Sequence, residues 1–209
     1  MKLYYARGAC SLSPHIVLLE AGIQAQLIKV DTKTHKTEDG GDFYAINPKG
    51  YVPVLELDDG QRLTEGPAVV QYLADRNPTS RLAPANGTMA RYRLQEWLNF
   101  ITAELHKQFG PLFQSTTPAE YQQTLKEKIA KRLDWVAGEL EGKDYLMGST
   151  FTVADAYLFT MLTWTGHVGI DLARWPALAA YKARVAARPR VREALIAEGL
   201  IKQSDTVAA

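Results

Sequence analysis

Cys10 is the chain's one cysteine and the residue best equipped for covalent chemistry. It follows Leu3-Tyr4-Tyr5, a short aromatic run that reads as a strand, and Gly8, which breaks it. From Ser11 the pattern turns helical, with Leu12, His15, Ile16 and Leu19 at i, i+3, i+4 and i+7. Ser11 suits an N-cap, Pro14 falls in the first turn, and Gly22 sits where a C′ residue would stop the helix. A thiol at a strand-to-helix junction meets unpaired N–H groups and the positive end of the helix dipole. Both favour the thiolate and predict a lowered pKa. Cys10-Ser11-Leu12-Ser13 has Cys-x-x-Ser spacing, the two-cysteine redox pattern with its resolving thiol replaced by a hydroxyl. Such a site can form a mixed disulfide with an external thiol but cannot close one internally. A lone cysteine is more often a small buried hydrophobe; the strand, glycine and helix around this one favour reactivity.

Three other places bear on chemistry. Pro53 opens a strand, where it is tolerated, and the Val52–Pro53 bond can be cis in a tight entry. Glu65 and Gly66 open a helix; taken alone, Glu65 is an ordinary first-turn acid. Asn99, Ala103 and His106, at i, i+4 and i+7, share one helix face, with a small residue between two polar ones.

Composition narrows the classes. With 209 residues the chain holds one large domain or two small ones, and either buries enough surface to fold without staples. One cysteine excludes an intrachain disulfide, which fits a reducing cytosol, the expected location. The N-terminus lacks signal-peptide character, and no apolar run approaches membrane-spanning length, so no membrane partner is expected. Lys and Arg total 24 against 23 Asp and Glu, and a net charge of +1 gives no case for nucleic acid. Four His and one Cys without close ligand spacing argue against a metal site.

The elements that position these residues follow in order. Gln26 to Val30 reads as a second strand, so strand, helix and strand form a βαβ unit with parallel strands. Asp31 to Asp42 reads as a polar loop, and Phe43 to Ile46 as a helical turn closed by Asn47-Pro48. Val54 to Leu57, the turn Asp58-Asp59-Gly60, and Gln61 to Thr64 predict a hairpin. A helix starts at Thr64-Glu65-Gly66-Pro67 and ends at Asn77-Pro78. Thr79 to Gly87 reads as a linker. Beyond it only helices are predicted: Met89 to Phe113 with a bend at Gly110-Pro111, Pro118 to Gly142, Thr152 to Val168, then shorter ones punctuated by Pro176 and Pro189. Thr152-Val153-Ala154-Asp155 is a capping box, with Phe151 as its hydrophobic staple. The polar tail from Gln203 to Ala209 is expected to fray. The expected organisation is an α/β domain over residues 1–80 followed by an all-α domain over residues 87–209.

These residues resemble the cytosolic glutathione S-transferase family, and in particular its bacterial beta class. The matching strings are Gly8-Ala9-Cys10-Ser11, Asn47-Pro48-Lys49-Gly50 with Val52-Pro53, Leu63-Thr64-Glu65-Gly66, Glu96-Trp97-Leu98-Asn99, Glu104-Leu105-His106-Lys107 and Phe151-Thr152-Val153-Ala154-Asp155-Ala156-Tyr157. They run in order through nearly the whole chain. The resemblance implies a thioredoxin-like N-terminal domain, an all-helical C-terminal domain and a homodimer. It also implies an enzyme that binds glutathione between its domains as co-substrate, with no permanently bound cofactor.

It further implies residue roles. The Val52 backbone beside Pro53 would pair with the cysteinyl part of glutathione as an added strand does, although Pro53 can equally serve only to end pairing. Glu65 and Gly66 would take the γ-glutamyl end. His106 would lie near the Cys10 sulfur, exchanging a hydrogen bond as the thiol changes state, and Asn99, Ala103 and Glu104 near glutathione. Helix-end donors at Cys10 and Ser11 would stabilise the thiolate of glutathione as it attacks an electrophilic carbon. One departure stands out: where the family favours a lysine contacting the glycyl carboxylate, this chain has His35 flanked by Lys33 and Lys36. With an ordinary imidazole there, glutathione affinity is expected to fall as pH rises. A second, apolar substrate would meet Tyr5, Ala9, Phe109, Phe113, Trp164 and His167, although aromatic stripes at helical spacing usually mark a core. Cys10 either hydrogen-bonds the bound sulfur or forms a mixed disulfide with it. The alternatives are a glutathione-dependent thiol reductase acting through Cys10 and a non-catalytic protein binding hydrophobic ligands.

Overall fold

The computed structural model describes residues 1–203; apart from Gln203, the tail expected to fray lies outside the described residues. The chain divides into two compact units, Met1–Ser80 with the chain from Ala187 onward, and Arg81–Ala186. The expected succession of an α/β part and an all-helical part is present.

In the first unit, β1 (Lys2–Tyr5), α1 (Leu12–Glu20) and β2 (Gln26–Asp31) form the βαβ unit, and β1 pairs parallel with β2, Leu3 opposite Leu27. Alternation along β1 sends Tyr4 into a cluster with Ala6, Val30, Phe43, Val52 and Val54 on one face, and buried Leu3 to the other. The hairpin of β4 (Val54–Glu56) and β5 (Arg62–Thr64) is antiparallel and turns through Gly60, whose φ is +84°. A two-residue strand, β3 (Lys36–Thr37), lies antiparallel to β2 within the expected loop, and the sheet order is β3-β2-β1-β4-β5. So short a strand leaves no period in the sequence.

α1 ends as expected: Gly22 takes φ +65°, and the Ile23 N–H reaches back to the Leu18 carbonyl at 2.9 Å. α1 packs against α2 (Gly66–Arg76) and against α8 (Pro189–Ala197), so the last helix belongs with the first unit. Arg188 clamps Glu20 at the end of α1 through Nε and Nη2, at 2.7 and 2.8 Å, in a bidentate pair.

In the second unit, α3 (Met89–Phe100) is capped by the Thr88 hydroxyl, which accepts from the Arg91 N–H at 3.2 Å. The predicted helix from Met89 to Phe113 is not uniformly α. It passes through a π turn (Ile101–His106), resumes as α4 (Lys107–Phe109), and tightens to a 3₁₀ turn (Gly110–Phe113) where Gly110-Pro111 predicts a bend. The Thr102 hydroxyl donates to the Leu98 carbonyl at 2.8 Å, competing with the backbone ladder, and the Lys107 N–H bonds the Thr102 carbonyl five residues back.

α5 (Ala119–Glu139) buries Leu125, Ile129, Leu133 and Val136 along one stripe. α6 (Val153–Trp164) is almost wholly buried and packs against α3 and α7 (Pro176–Ala186). The predicted box starts α6: the Asp155 carboxylate accepts from the Thr152 N–H at 2.8 Å and from the Thr152 hydroxyl at 2.9 Å. It also accepts from the Leu146 N–H at 2.8 Å and the Tyr181 hydroxyl at 2.9 Å. Burial raises the Asp155 pKa against the pull of these donors.

Candidate active site

The loop from Ala6 to Cys10 runs straight into α1. Ala9 N–H bonds the Ala6 carbonyl at 3.1 Å, Leu12 N–H the Ala9 carbonyl at 3.0 Å, and Ser13 N–H the Cys10 carbonyl at 3.2 Å. Ser11 does not cap the helix as expected. Its backbone is already helical (φ −64°, ψ −14°), and its buried hydroxyl accepts from the Ala6 N–H at 3.1 Å and donates to the Ala6 carbonyl at 3.2 Å. The Ser11 hydroxyl is thus spent on the loop, and what Ser11 offers the sulfur is its backbone N–H.

Cys10 is partly exposed as a residue, but its sulfur lies against protein and donates to the Val52 carbonyl at 3.2 Å. Burial pushes the thiol up to about 12; the backbone N–H groups of Cys10 and Ser11 pull down and the Glu65 charge pushes further up. The expected lowering by helix-end donors is therefore present in sign and outweighed by desolvation. In the ordinary pH range Cys10 is a neutral S–H donor.

A longer-range contact fastens the loop, and the sequence gives no hint of it. Glu198, buried just after α8, accepts from the Gly8 N–H at 2.8 Å and pairs with His15 Nδ1 at 2.9 Å. Gly8 itself takes φ +66° against Leu200, which an added Cβ would meet at 3.2 Å. Arg7 donates to the Gly199 carbonyl. His15, which the sequence places on an apolar stripe, is thus a buried polar anchor for α1.

The Val52–Pro53 bond is cis, as the sequence allows, and the Val52 carbonyl is the acceptor for Cys10. Glu65 precedes α2 with φ +67° and ψ 114°, strained for a residue with a side chain, a kind of conformation that persists where the surroundings over-determine it and that clusters at ligand sites. Its carboxylate is 71% exposed and pairs with Lys49. Lys49 also donates to the Thr64 hydroxyl at 2.9 Å. Gly66 opens α2 and Pro67 follows in its first turn. Cys10, Ser11, Val52, Pro53, Glu65 and Gly66 thus all stand on the junctions that enter α1, β4 and α2.

His35 lies on the loop just before β3. At φ +53° it stacks on Tyr44 with ring centroids 4.5 Å apart, and its Nδ1 is buried without a hydrogen-bond partner among the described residues. Gly50, at φ +70°, lets the backbone approach both rings; an added Cβ would stand 2.8 Å from Tyr44 and 3.0 Å from His35 Nδ1. Lys33 and Lys36 are exposed. Tyr5 packs on His15 at 6.1 Å, and Ala9 lies on the edge of the Tyr4–Phe43 cluster.

In the second unit the π turn shifts the phase of the helix between Asn99 and His106. Asn99 and Ala103 are exposed, and Asn99 donates to its own Gln95 carbonyl at 2.9 Å. Glu104 pairs with Arg132 of α5 at 2.6 Å. His106 instead leans on α6: Nδ1 lies 2.6 Å from the Tyr157 hydroxyl, and its ring meets Trp164 edge-on at 5.1 Å. Phe109 and Phe113 also meet Trp164 edge-on, at 5.7 and 5.4 Å. Phe109 is core, whereas Phe113 is 51% exposed; His167 is exposed on the turn after α6. Of the expected apolar wall, Phe109, Phe113 and Trp164 form one aromatic cluster with His106. Tyr157 is the member of that cluster that residue spacing missed.

Known proteins share this order of domains. The family model for the glutathione S-transferase N-terminal domain matches residues 8–76, and that for the C-terminal domain matches residues 97–189. The chain is 48% identical over 200 residues to glutathione S-transferase GstA of Escherichia coli O157:H7, covering 96% of this chain and all of that one. A sphingomonad glutathione S-transferase solved with glutathione superposes with a TM-score of 0.93 at 49% identity, covering 96% of this chain and 100% of the other. A bacterial beta-class enzyme from Sphingomonas chungbukensis gives 0.93 at 48% identity, with the same coverage. The strand-to-helix cysteine, the cis proline and the acidic opening of α2 thus sit on a chain that belongs to the glutathione S-transferase family, in its bacterial beta class.

Proposed function

We propose that this transferase binds glutathione on the Cys10 face of the first unit and conjugates its thiol to apolar electrophiles. The observation that carries this is the Cys10 sulfur, which the Cys10 and Ser11 N–H groups face while its own proton is held on the Val52 carbonyl. A glutathione thiolate arriving there finds helix-end N–H groups, and the Cys10 S–H once it turns from the Val52 carbonyl, and both lower the cost of its charge. The Val52 backbone then serves the cysteinyl part, and the Glu65 carboxylate and the opening of α2 at Gly66 serve the γ-glutamyl ammonium and carboxylate. His35, Lys33 or Lys36 serves the glycyl carboxylate.

From the second unit, His106 acts on the glutathione sulfur and Asn99, Ala103 and Glu104 on its peptide. Phe109, Phe113, Trp164 and His167, with Tyr5 and Ala9, receive the electrophile. The thiolate sulfur attacks the electrophilic carbon, the carbon–leaving-group bond breaks, and the thiol proton passes to solvent. The working form is a homodimer in the cytoplasm; no helix among the described residues is long and apolar enough to cross a membrane.

Calorimetric titration with glutathione, followed by turnover of a model aromatic halide, tests the proposal. Saturable binding with turnover is expected. Turnover that needs no glutathione, or binding without turnover, contradicts it.

A further inference from the structure

The turn that carries Cys10 into α1 holds two serine hydroxyls, Ser11 and Ser13, in unlike states. The Ser11 hydroxyl is committed to Ala6, accepting from its N–H at 3.1 Å and donating to its carbonyl at 3.2 Å. Ser13 is 1% exposed, and its Oγ is buried with no hydrogen-bond partner among the described residues. Protein interiors pair nearly all such groups, and leaving one unpaired is costly. This hydroxyl closes the Cys-x-x-Ser spacing, three residues beyond the thiol.

The backbone sets the two side chains one above the other. The Ser13 N–H bonds the Cys10 carbonyl at 3.2 Å, three residues back, and the Leu12 N–H bonds the Ala9 carbonyl at 3.0 Å in the same way. This is 3₁₀ geometry, in which side chains i and i+3 eclipse and their Cα atoms stand about 6 Å apart. A disulfide bridges Cα separations of about 4.4–6.8 Å, so side chains at this spacing can meet.

In its neutral state the sulfur has no use for a second donor. Its proton goes to the Val52 carbonyl at 3.2 Å, and a thiol sulfur is a weak acceptor. Once that proton is lost, the negative end of the Val52 carbonyl faces a negative charge. The sulfur must turn from it, and as an anion it has become a strong acceptor.

We propose that the Ser13 hydroxyl is the donor held for the Cys10 sulfur in its thiolate state. The step that needs it is thiol–disulfide exchange. A glutathione thiolate attacks the glutathionyl sulfur of a mixed disulfide at Cys10, itself taken from a glutathionylated thiol. The S–S bond breaks, its electron pair stays on the Cys10 sulfur, and oxidised glutathione leaves. Ser13 gives that sulfur a hydrogen bond and keeps its own proton. The exchange step rests on the glutathione reading under Proposed function, whereas the donor role rests on the turn alone.

Alkylation of the full chain by iodoacetamide across about pH 7 to 10, followed by intact mass, reads the thiolate without glutathione. Ser13→Ala is expected to react about threefold more slowly at each pH. Loss of one hydrogen bond lowers the thiolate fraction about fivefold, and the greater nucleophilicity of the more basic thiolate offsets part of that. The urea midpoint of the variant should be unchanged or raised, because an unpaired hydroxyl adds nothing to the resting fold. Ser13→Cys under mild oxidant should close a disulfide with Cys10, seen as a loss of two hydrogens in mass. Wild-type alkylation rates in Ser13→Ala, a lowered urea midpoint with an unchanged pH profile, or a Ser13→Cys chain that keeps both thiols free would each overturn the inference. If alkylation slows as expected but oxidised glutathione leaves no adduct on the wild type, the donor role stands and the exchange step with glutathione fails.

Discussion

Cys10 is surrounded by backbone groups, whereas His106 is surrounded by side chains. The sulfur meets the N–H groups of Cys10 and Ser11 and the carbonyl of Val52, on a loop fastened through the N–H of Gly8. The imidazole meets the Tyr157 hydroxyl and the edge of Trp164, on a helix stretched into a π turn. Backbone donors are placed by chain conformation, so the first place is sensitive to changes in φ and loop closure. The second is sensitive to loss of single aromatic groups, and to whatever holds α6 against the helix bearing His106.

The largest effect is expected where one carboxylate supports the second place. Asp155→Ala strips the acceptor from Leu146, Thr152 and Tyr181 at the start of the helix bearing Tyr157 and Trp164. A loss of about 3 kcal/mol or more in urea unfolding is expected, since each buried donor left unpaired costs about 1–3 kcal/mol. A loss below about 1 kcal/mol would show that α6 is held by apolar packing alone.

Next, Glu65→Ala should weaken glutathione binding about tenfold or more by calorimetry, the worth of a charge-assisted hydrogen bond. Unfolding stability should hardly change, because the exposed Glu65–Lys49 pair is worth little. If affinity holds, the strained opening of α2 is not a ligand site.

The thiol gives a pH test. Its pKa is raised from an ordinary 9.0 to about 12, so between these values the native state keeps a proton that the unfolded chain loses. Stability should be unaffected by Cys10 below pH 9.0, fall as pH rises toward 12, and lose that part of its fall in Cys10→Ser. Alkylation of Cys10 should likewise climb without a plateau up to about pH 10, because only the thiolate reacts. A plateau near neutrality would place the thiol with the activated cysteines instead. The smallest effect belongs to His35→Ala, expected to change glutathione affinity less than about threefold, as the loss of one partly exposed contact would.

The two places were unequally legible in the sequence. The strand, glycine, cysteine and helix order, the cis-competent Val52–Pro53 and the acidic opening of α2 are local, and each left a mark within a few residues. The clasp of Glu198 on Gly8 and His15 left none, because 183 residues separate Glu198 from His15. Ser11 misled because the hydroxyl that makes a good cap also bonds backbone on the preceding loop. The dipole's pull on the thiol was readable in sign, but burial, which decides the balance, belongs to the folded chain. Around His106, helical spacing assumed 3.6 residues per turn. The π turn broke that assumption and brought in Tyr157, a partner 51 residues away.

The central claim is that glutathione's own sulfur attacks while Cys10 remains a neutral donor beside it. Conjugation of an aromatic halide by Cys10→Ala, measured alongside intact mass after exposure to oxidised glutathione, tests this most directly. The variant should keep conjugation within about tenfold of wild type, the worth of one hydrogen bond, and should gain no glutathione adduct. Abolition of conjugation in that variant would contradict the account and make the Cys10 sulfur indispensable to the transfer.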